Sequence, residues 1–307
     1  MKQAKPARPI GRIRRRSLIG IVVAGTALFA ACGGDDSSSA PVATAADTTA
    51  VEGDSLRIVS LSPTHTEILY AIGAGDEVVA VDSMSNFPAE AAITDLSAYE
   101  PNVEAIAAFD PDLVVIGDDF TGLADQLTAI GVNSWVSAAP TTLDEAYAQI
   151  VELGRAVGHE EGATELADSM RADIDSIVAD ATKVAEGTSY FLELDDTLYS
   201  VTSNTFIGSL YELFGLRNIA DATEGDTDYP QLSAEFIVSQ DPDLIFLADT
   251  KCCGASAETV AARPGWNVLS AVKASHVVEL DDDIASRWGP RLVDYVAAIA
   301  AALESLG

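Results

Sequence analysis

From residue 56 onward, short runs of β-branched and apolar residues alternate with alanine-rich amphipathic stretches. The runs are Arg57–Leu61, Val78–Val81, Leu113–Ile116, Val132–Val136, Ser189–Leu194, Leu244–Leu247 and His276–Leu280, and each reads as a strand. Strands alternating with helices predict parallel α/β sheets. LVVI and LIFL are apolar at every position, which fits strands covered on both faces. The stretch Leu143 to Glu186 has helical periodicity, broken near Gly154, Gly158 and Gly162. Ala163–Ala185 holds neither Gly nor Pro and is read as one long helix. At 1.5 Å per residue it spans roughly 35 Å, enough to join two small lobes.

One internal repeat supports two lobes. Residues 104–119 read EAIAAFDPDLVVIGDD and residues 235–250 read EFIVSQDPDLIFLADT. Each is an acid-led helix, a DPDL corner, an apolar strand and a polar loop. Glu104 and Glu235 each lie six residues before the first Asp of the corner, and Pro101 and Pro230 precede them. Proline favours helix starts, and a first-turn carboxylate suits the helix dipole. The matched offset favours duplication over two unrelated helix–strand joins.

The N-terminal segment reads as an address. Residues 1–31 carry seven basic residues and no acid, with an apolar run from Leu18 to Ala31 that stops at Cys32. A basic start, a short apolar stretch and small residues before the break describe an export signal. The run falls short of the about 20 residues a membrane-spanning helix needs. Leu28-Phe29-Ala30-Ala31-Cys32 resembles a lipobox, with Cys32 as the lipidated residue. Arg15-Arg16-Ser17-Leu18-Ile19 reads either as a twin-arginine signal or as an ordinary basic start. Residues 32–55 are small, polar and acidic, and are expected to tether the body to a membrane.

Composition then narrows the function classes. The 307 residues include 48 Asp+Glu and 17 Lys+Arg, a formal charge of −31, and removal of residues 1–31 takes it to −38. Such a chain repels phosphate backbones, so no nucleic-acid partner is expected. Hydrophobic residues make up 48%, enough for a sizeable core. Three Cys and three His leave no zinc ribbon and little for a bare-metal site, so no metal ligands and no cofactor are assigned. GxSxG, P-loop, HExxH and GxGxxG motifs are absent. Paired acids such as Asp118-Asp119 and Asp281 to Asp283 remain a handle for acid–base chemistry or for binding a cation, and a secreted hydrolase is the alternative of a different class.

Several segments carry a family resemblance. They are Arg57-Ile-Val-Ser-Leu-Ser-Pro-Thr-His-Thr-Glu67, Phe87-Pro88, Pro101-Asn-Val-Glu104, Asp110-Pro-Asp-Leu113, Ser203-Asn-Thr-Phe206 and Arg287-Trp-Gly-Pro-Arg291. In this order they resemble the substrate-binding proteins of ABC importers for vitamin B12, iron–siderophores and haem. The resemblance covers about residues 56–305. It implies an α/β fold of two Rossmann-like lobes joined by a single long α-helix, with a ligand cleft between them. The boundaries are then an N-terminal lobe at 56–160, a linking helix at 161–187 and a C-terminal lobe at 188–307. It implies a monomeric, membrane-anchored, extracytoplasmic protein that is not an enzyme and hands a metal chelate to permease subunits.

Ligands of open α/β sheets bind beyond the carboxyl ends of strands. By resemblance to the B12-binding member, Phe87, Tyr99, Tyr229, Asp283 and Arg287 fall at ligand-contact positions, with Tyr at 99 and 229 where that member has Trp. Phe120 and Trp288 lie in the same set of loops. Tyr99 and Tyr229 are expected to clamp a broad, partly apolar chelate across the cleft. Thr64 and Glu67 read as a capping box, and His65 as a residue able to face the cleft. Were haem the ligand, Tyr99 or His65 would supply the axial bond. The chain's acidity disfavours strongly anionic catecholates unless Arg287 compensates locally, and favours a corrinoid or near-neutral hydroxamate. Glu104 and Glu235, at matched positions of two lobes, fall where the family docks onto permease arginines. Neighbouring Cys252 and Cys253 suggest a vicinal disulfide stiffening a ligand-facing loop.

Overall fold

Each half of the chain lays down four parallel strands in one order. The computed structural model describes residues 55–223 and 225–306, so the expected export signal, Cys32 and nearly all of the expected tether lie outside it. The first half runs β1 (Ile58–Leu61), α1 (Pro63–Ala71), β2 (Val78–Val81), α2 (Val103–Ala107), β3 (Leu113–Ile116), α3 (Leu123–Ala129) and β4 (Asn133–Val136). Helices α4 (Leu143–Val157) and α5 (Glu160–Asp180) follow. The second half runs β5 (Ser189–Glu193), α6 (Phe206–Glu212), β6 (Arg217–Asn218), α7 (Ala234–Gln240), β7 (Leu244–Leu247), α8 (Ala257–Ala261), α9 (Ser270–Ala274), β8 (Val277–Glu279), α10 (Asp282–Ala285) and α11 (Leu292–Glu304). The sheets read β2-β1-β3-β4 and β6-β5-β7-β8, one topology used twice.

The DPDL corners are equivalent in three dimensions. Asp110 and Asp241 both adopt left-handed backbone, with φ of 49° and 44°. This is a conformation Asp tolerates better than most residues. Asp112 accepts a hydrogen bond from the Arg57 amide at 2.9 Å, and Asp243 accepts one from the Ser189 amide at 2.8 Å. Each corner thus ties the start of its central strand to the start of the strand beside it.

Strand side chains alternate between two cores, as the pleat demands. On β5 and β7, Tyr190, Leu192, Leu244 and Phe246 face one core; Phe191, Ile245 and Leu247 face the other. On β1 and β3, Ile58 and Val115 join that same first core, while Val59, Leu61, Val114 and Ile116 face a third. The first core therefore runs through both lobes. It is filled by stripes from α4 (Ile150, Leu153), α5 (Ala163, Ala167, Met170, Ile174) and α11 (Tyr295, Val296, Ile299, Leu303). Spacings of three and four residues put each stripe on one helix face. Tyr190 stacks on Tyr211 at 4.1 Å between ring centres, and the Tyr211 and Tyr295 hydroxyls hydrogen-bond at 2.9 Å.

The linking helix differs from the expected 161–187. It begins at Glu160 and ends at Asp180. Its last turn has no basic residue, while Asp173, Asp175 and Asp180 load its C-terminal end with the charge the dipole disfavours. Of the three expected glycine breaks, only Gly158 is one: at φ +88° it closes α4 in left-handed backbone. Gly162 sits inside the first turn of α5, where an added Cβ would lie 2.7 Å from the Ile72 carbonyl oxygen. Glycine there permits close packing of α5 on the end of α1. The two-residue strand β6 has no counterpart in the sequence pattern, because Arg217-Asn218 shows no apolar run.

Candidate functional site

The segment after β8 crosses to the other lobe. Asp281 caps α10, accepting from the Asp283 and Ile284 amides. Arg287 and Arg291 then reach Glu67 on α1. Arg287 Nη1 donates to Glu67 Oε1 at 2.8 Å, Arg291 Nη2 to the same oxygen at 2.6 Å, and Arg291 Nε to Oε2 at 3.0 Å. The Glu67 side chain is 1% exposed. The expected capping box is therefore absent. Ser62 precedes α1 with no side-chain cap and Pro63 opens the helix. Thr64 and Glu67 are buried, and Glu67 is committed to an interlobe ion bracket.

Arg287 makes three more bonds. Nη1 also donates to Asn86 Oδ1 at 3.1 Å, and Nη2 donates to the Met84 carbonyl at 3.2 Å and to Asp283 Oδ1 at 2.7 Å. Asn86 Nδ2 donates to Asp283 Oδ2 at 3.1 Å, and Lys251 Nζ bridges Asp281 and Asp283 at 2.7 and 2.9 Å. Burial works to raise the Asp283 carboxyl, but the hydrogen bonds from Lys251 and Asn86 and the charge of Arg287 outweigh it and hold it below the usual range. At Asp82 burial prevails over bonds from Ser85 and Met84, and the carboxyl is raised.

Two cavities open on either side of this segment. One, of about 290 Å³, is lined by Tyr99, Phe120, Asp82 and Asp118 from the N-terminal lobe and by Asp283, Ser286, Arg287 and Trp288. The other, of about 300 Å³, is lined by Pro140, Phe206, Asp228 and Tyr229 and by the same Ser286, Arg287 and Trp288. Tyr99 is 79% exposed, Phe120 83% and Tyr229 53%, so these rings are not core aromatics. Tyr99 lines the first cavity and Tyr229 the second, and the two cavities share Ser286, Arg287 and Trp288. Trp288 is fixed by an Nε1 bond to Gln149 Oε1 at 3.1 Å.

Two expected site residues lie elsewhere. His65 is fully buried, edge-on to Trp135 and Trp288, with Nδ1 2.7 Å from the Ser62 hydroxyl. Burial pushes its pKa down to about 3, so it is a neutral core imidazole rather than a cleft ligand for haem. Phe87 lines neither cavity and packs under the Arg291 guanidinium, 4.3 Å from ring centre to charge. The cavity walls also include Asn204 and Phe206, from a segment that carries the resemblance without a site role assigned to it, and Pro140, whose only signal is its place in the loop after β4.

Cys252 and Cys253 are joined by a disulfide in the loop after β7. The amides of Lys251 and Cys252 donate to the Asp282 carboxylate, at 3.0 and 2.8 Å, so the loop braces the start of α10. At the root of this loop Asp249 is fully buried, and neither carboxylate oxygen has a hydrogen-bond partner among the described residues. Burial and the charge of neighbouring Glu193, itself paired with Arg263, raise Asp249 to about 7. A carboxyl that holds its proton more tightly when folded stabilises below its unfolded pKa, and the benefit is lost as pH rises through about 7. Stability is therefore expected to fall as the pH rises from the acidic range through neutrality on this account. Asp249→Asn should flatten that slope in urea melts; an unchanged slope would remove Asp249 as its source.

Comparison with known proteins places the chain. Residues 58–284 match the family model described as Periplasmic binding protein. The chain belongs to this family. It is 32% identical over 253 residues to the uncharacterized ABC transporter substrate-binding lipoprotein YvrC of Bacillus subtilis, covering 80% of this chain and 78% of that protein. It is also 32% identical over 260 residues to a cobalamin-binding protein of Halobacterium salinarum, covering 81% and 69%. A crystal structure of a possible iron-binding periplasmic solute-binding protein from Staphylococcus epidermidis aligns with a TM-score of 0.69 at 25% identity, covering 80% of this chain and 97% of that one. The two cavities take their linings from loops of both parallel-sheet lobes; among the described residues no helix is long and apolar enough to cross a membrane.

Proposed function

We propose that this periplasmic binding protein is the substrate-binding component of an ABC importer. It captures a corrinoid or iron chelate between its lobes and passes it on unchanged. The observation that carries this reading is the pair of cavities sharing Arg287 and Trp288, walled by the exposed rings of Tyr99, Phe120 and Tyr229. Large exposed aromatic surface lining a groove marks a binding site for a partly apolar ligand. The relatives support it: one is named a substrate-binding lipoprotein of an ABC transporter and another a cobalamin-binding protein.

The same reading makes Cys32 the lipid anchor that holds the body outside the membrane, and Glu104 and Glu235 the contacts to the permease. Both glutamates are exposed and sit in the first turns of α2 and α7. Titration with cyanocobalamin, ferric hydroxamates and haemin, followed by tryptophan fluorescence, tests the cleft. Tyr99→Ala with Tyr229→Ala is expected to weaken the ligand that binds at least tenfold, given about 1 kcal/mol or more for each stacking ring. Equal affinity in the double variant would move the site away from these cavities.

A further inference from the structure

The cleft presents acids with no free cation among the described residues, because the one cation lining it is already bonded to the protein's own acceptors. Asp82, Asp118 and Asp283 line one cavity and Asp228 the other; among the described residues Arg287 is the single basic one lining either. Its two terminal nitrogens make four hydrogen bonds, to Glu67, Asn86, the Met84 carbonyl and Asp283. The nearby cations are committed too: Arg291 to Glu67, and Lys251 to Asp281 and Asp283. In contrast, Asp228 accepts only from neutral groups, Thr202 Oγ1 at 3.1 Å and Asn204 Nδ2 at 3.3 Å. Asp118 is exposed, and no cation reaches it among the described residues.

We propose that the cleft selects its ligand by charge, admitting cationic or uncharged metal chelates and turning away polyanionic ones, with Asp118 and Asp228 as the selecting carboxylates. This rests on the binding-protein reading above. Arg287, which from sequence alone looks able to receive an anion, serves the protein's own carboxylates instead. A chelate bearing several negative charges must approach these acids with no guanidinium released to meet it. Repulsion in a partly dehydrated groove discriminates more strongly than in open water. An ammonium-bearing trihydroxamate or a corrinoid rimmed with neutral amides meets no such barrier.

The purified full-length chain is titrated with probes of graded charge. These are aquocobalamin and ferrioxamine B (cationic), cyanocobalamin (uncharged), haemin (two propionates) and a ferric tris-catecholate (trianionic). At least one cationic or uncharged probe is expected to bind at least tenfold tighter than both anionic ones. Asp118→Asn with Asp228→Asn should narrow that gap about tenfold, Asp→Glu at both sites should restore it, and raising salt should shrink it in the unsubstituted chain. Tighter binding of an anionic probe, or a gap indifferent to the Asn substitutions, overturns the charge selection and leaves the binding-protein reading standing. Failure of every probe to bind overturns both.

Discussion

Glu67→Gln should lower the unfolding free energy by about 3–5 kcal/mol, the range for breaking one side of a buried ion pair. Glutamine keeps the shape but removes the charge that two guanidiniums share across the lobes. Arg287 is left largely buried, with only Asp283 opposite it. Arg291, 16% exposed at its side chain, can recover some hydration, so the lower half of that range applies if its side chain swings out. Replacing Glu67 and both arginines together by apolar residues of similar volume should cost far less, since the desolvation penalty of all three charges disappears with them. Urea melts at pH 7 check both variants. A loss below about 1 kcal/mol for Glu67→Gln would mean that the bracket is screened like a surface pair.

Combined Glu104→Ala and Glu235→Ala should abolish uptake while the affinity of the isolated protein for its ligand stays unchanged. Neither glutamate lines the cavities, and both project from short helices whose caps survive the change. Asn102 accepts from the Glu104 and Ala105 amides, and the Ser233 hydroxyl accepts from the Phe236 amide. Lost dipole complementarity costs each helix only about 0.3–1 kcal/mol, so the fold should hold. What disappears is a matched pair of negative points, one per lobe, able to set encounter and register on a cationic partner. Transport assays in vesicles carrying the cognate permease check this; undiminished uptake would dismiss the two glutamates as docking points.

The repeat was legible because both of its halves are local. An acid, five residues and a DPDL corner are written contiguously, and each copy builds the same left-handed turn and the same bond to a neighbouring strand. Strands Val78–Val81, Leu113–Ile116 and Leu244–Leu247 match their apolar runs to the residue, since a strand buried on both faces has no polar position to blur its ends. The loops that line the groove were legible for a topological reason, because they follow strands in an open parallel sheet.

What spacing along the chain could not express was the partner of each polar group. Thr64 and Glu67 sit three apart, as a capping box requires, yet Glu67 is claimed by arginines 220 and 224 residues away. Gly154 and Gly162 look like helix breakers until α5 and α1 are seen packed against them. His65 and Arg287 carry ligand-binding chemistry in sequence, but burial silences the one and four internal acceptors occupy the other. Periodicity and turn chemistry act over a few residues and so determine strands, corners and the doubled architecture. Burial and charge pairing depend on which distant segments meet, so the working charge of the cleft was decided only by the tertiary structure.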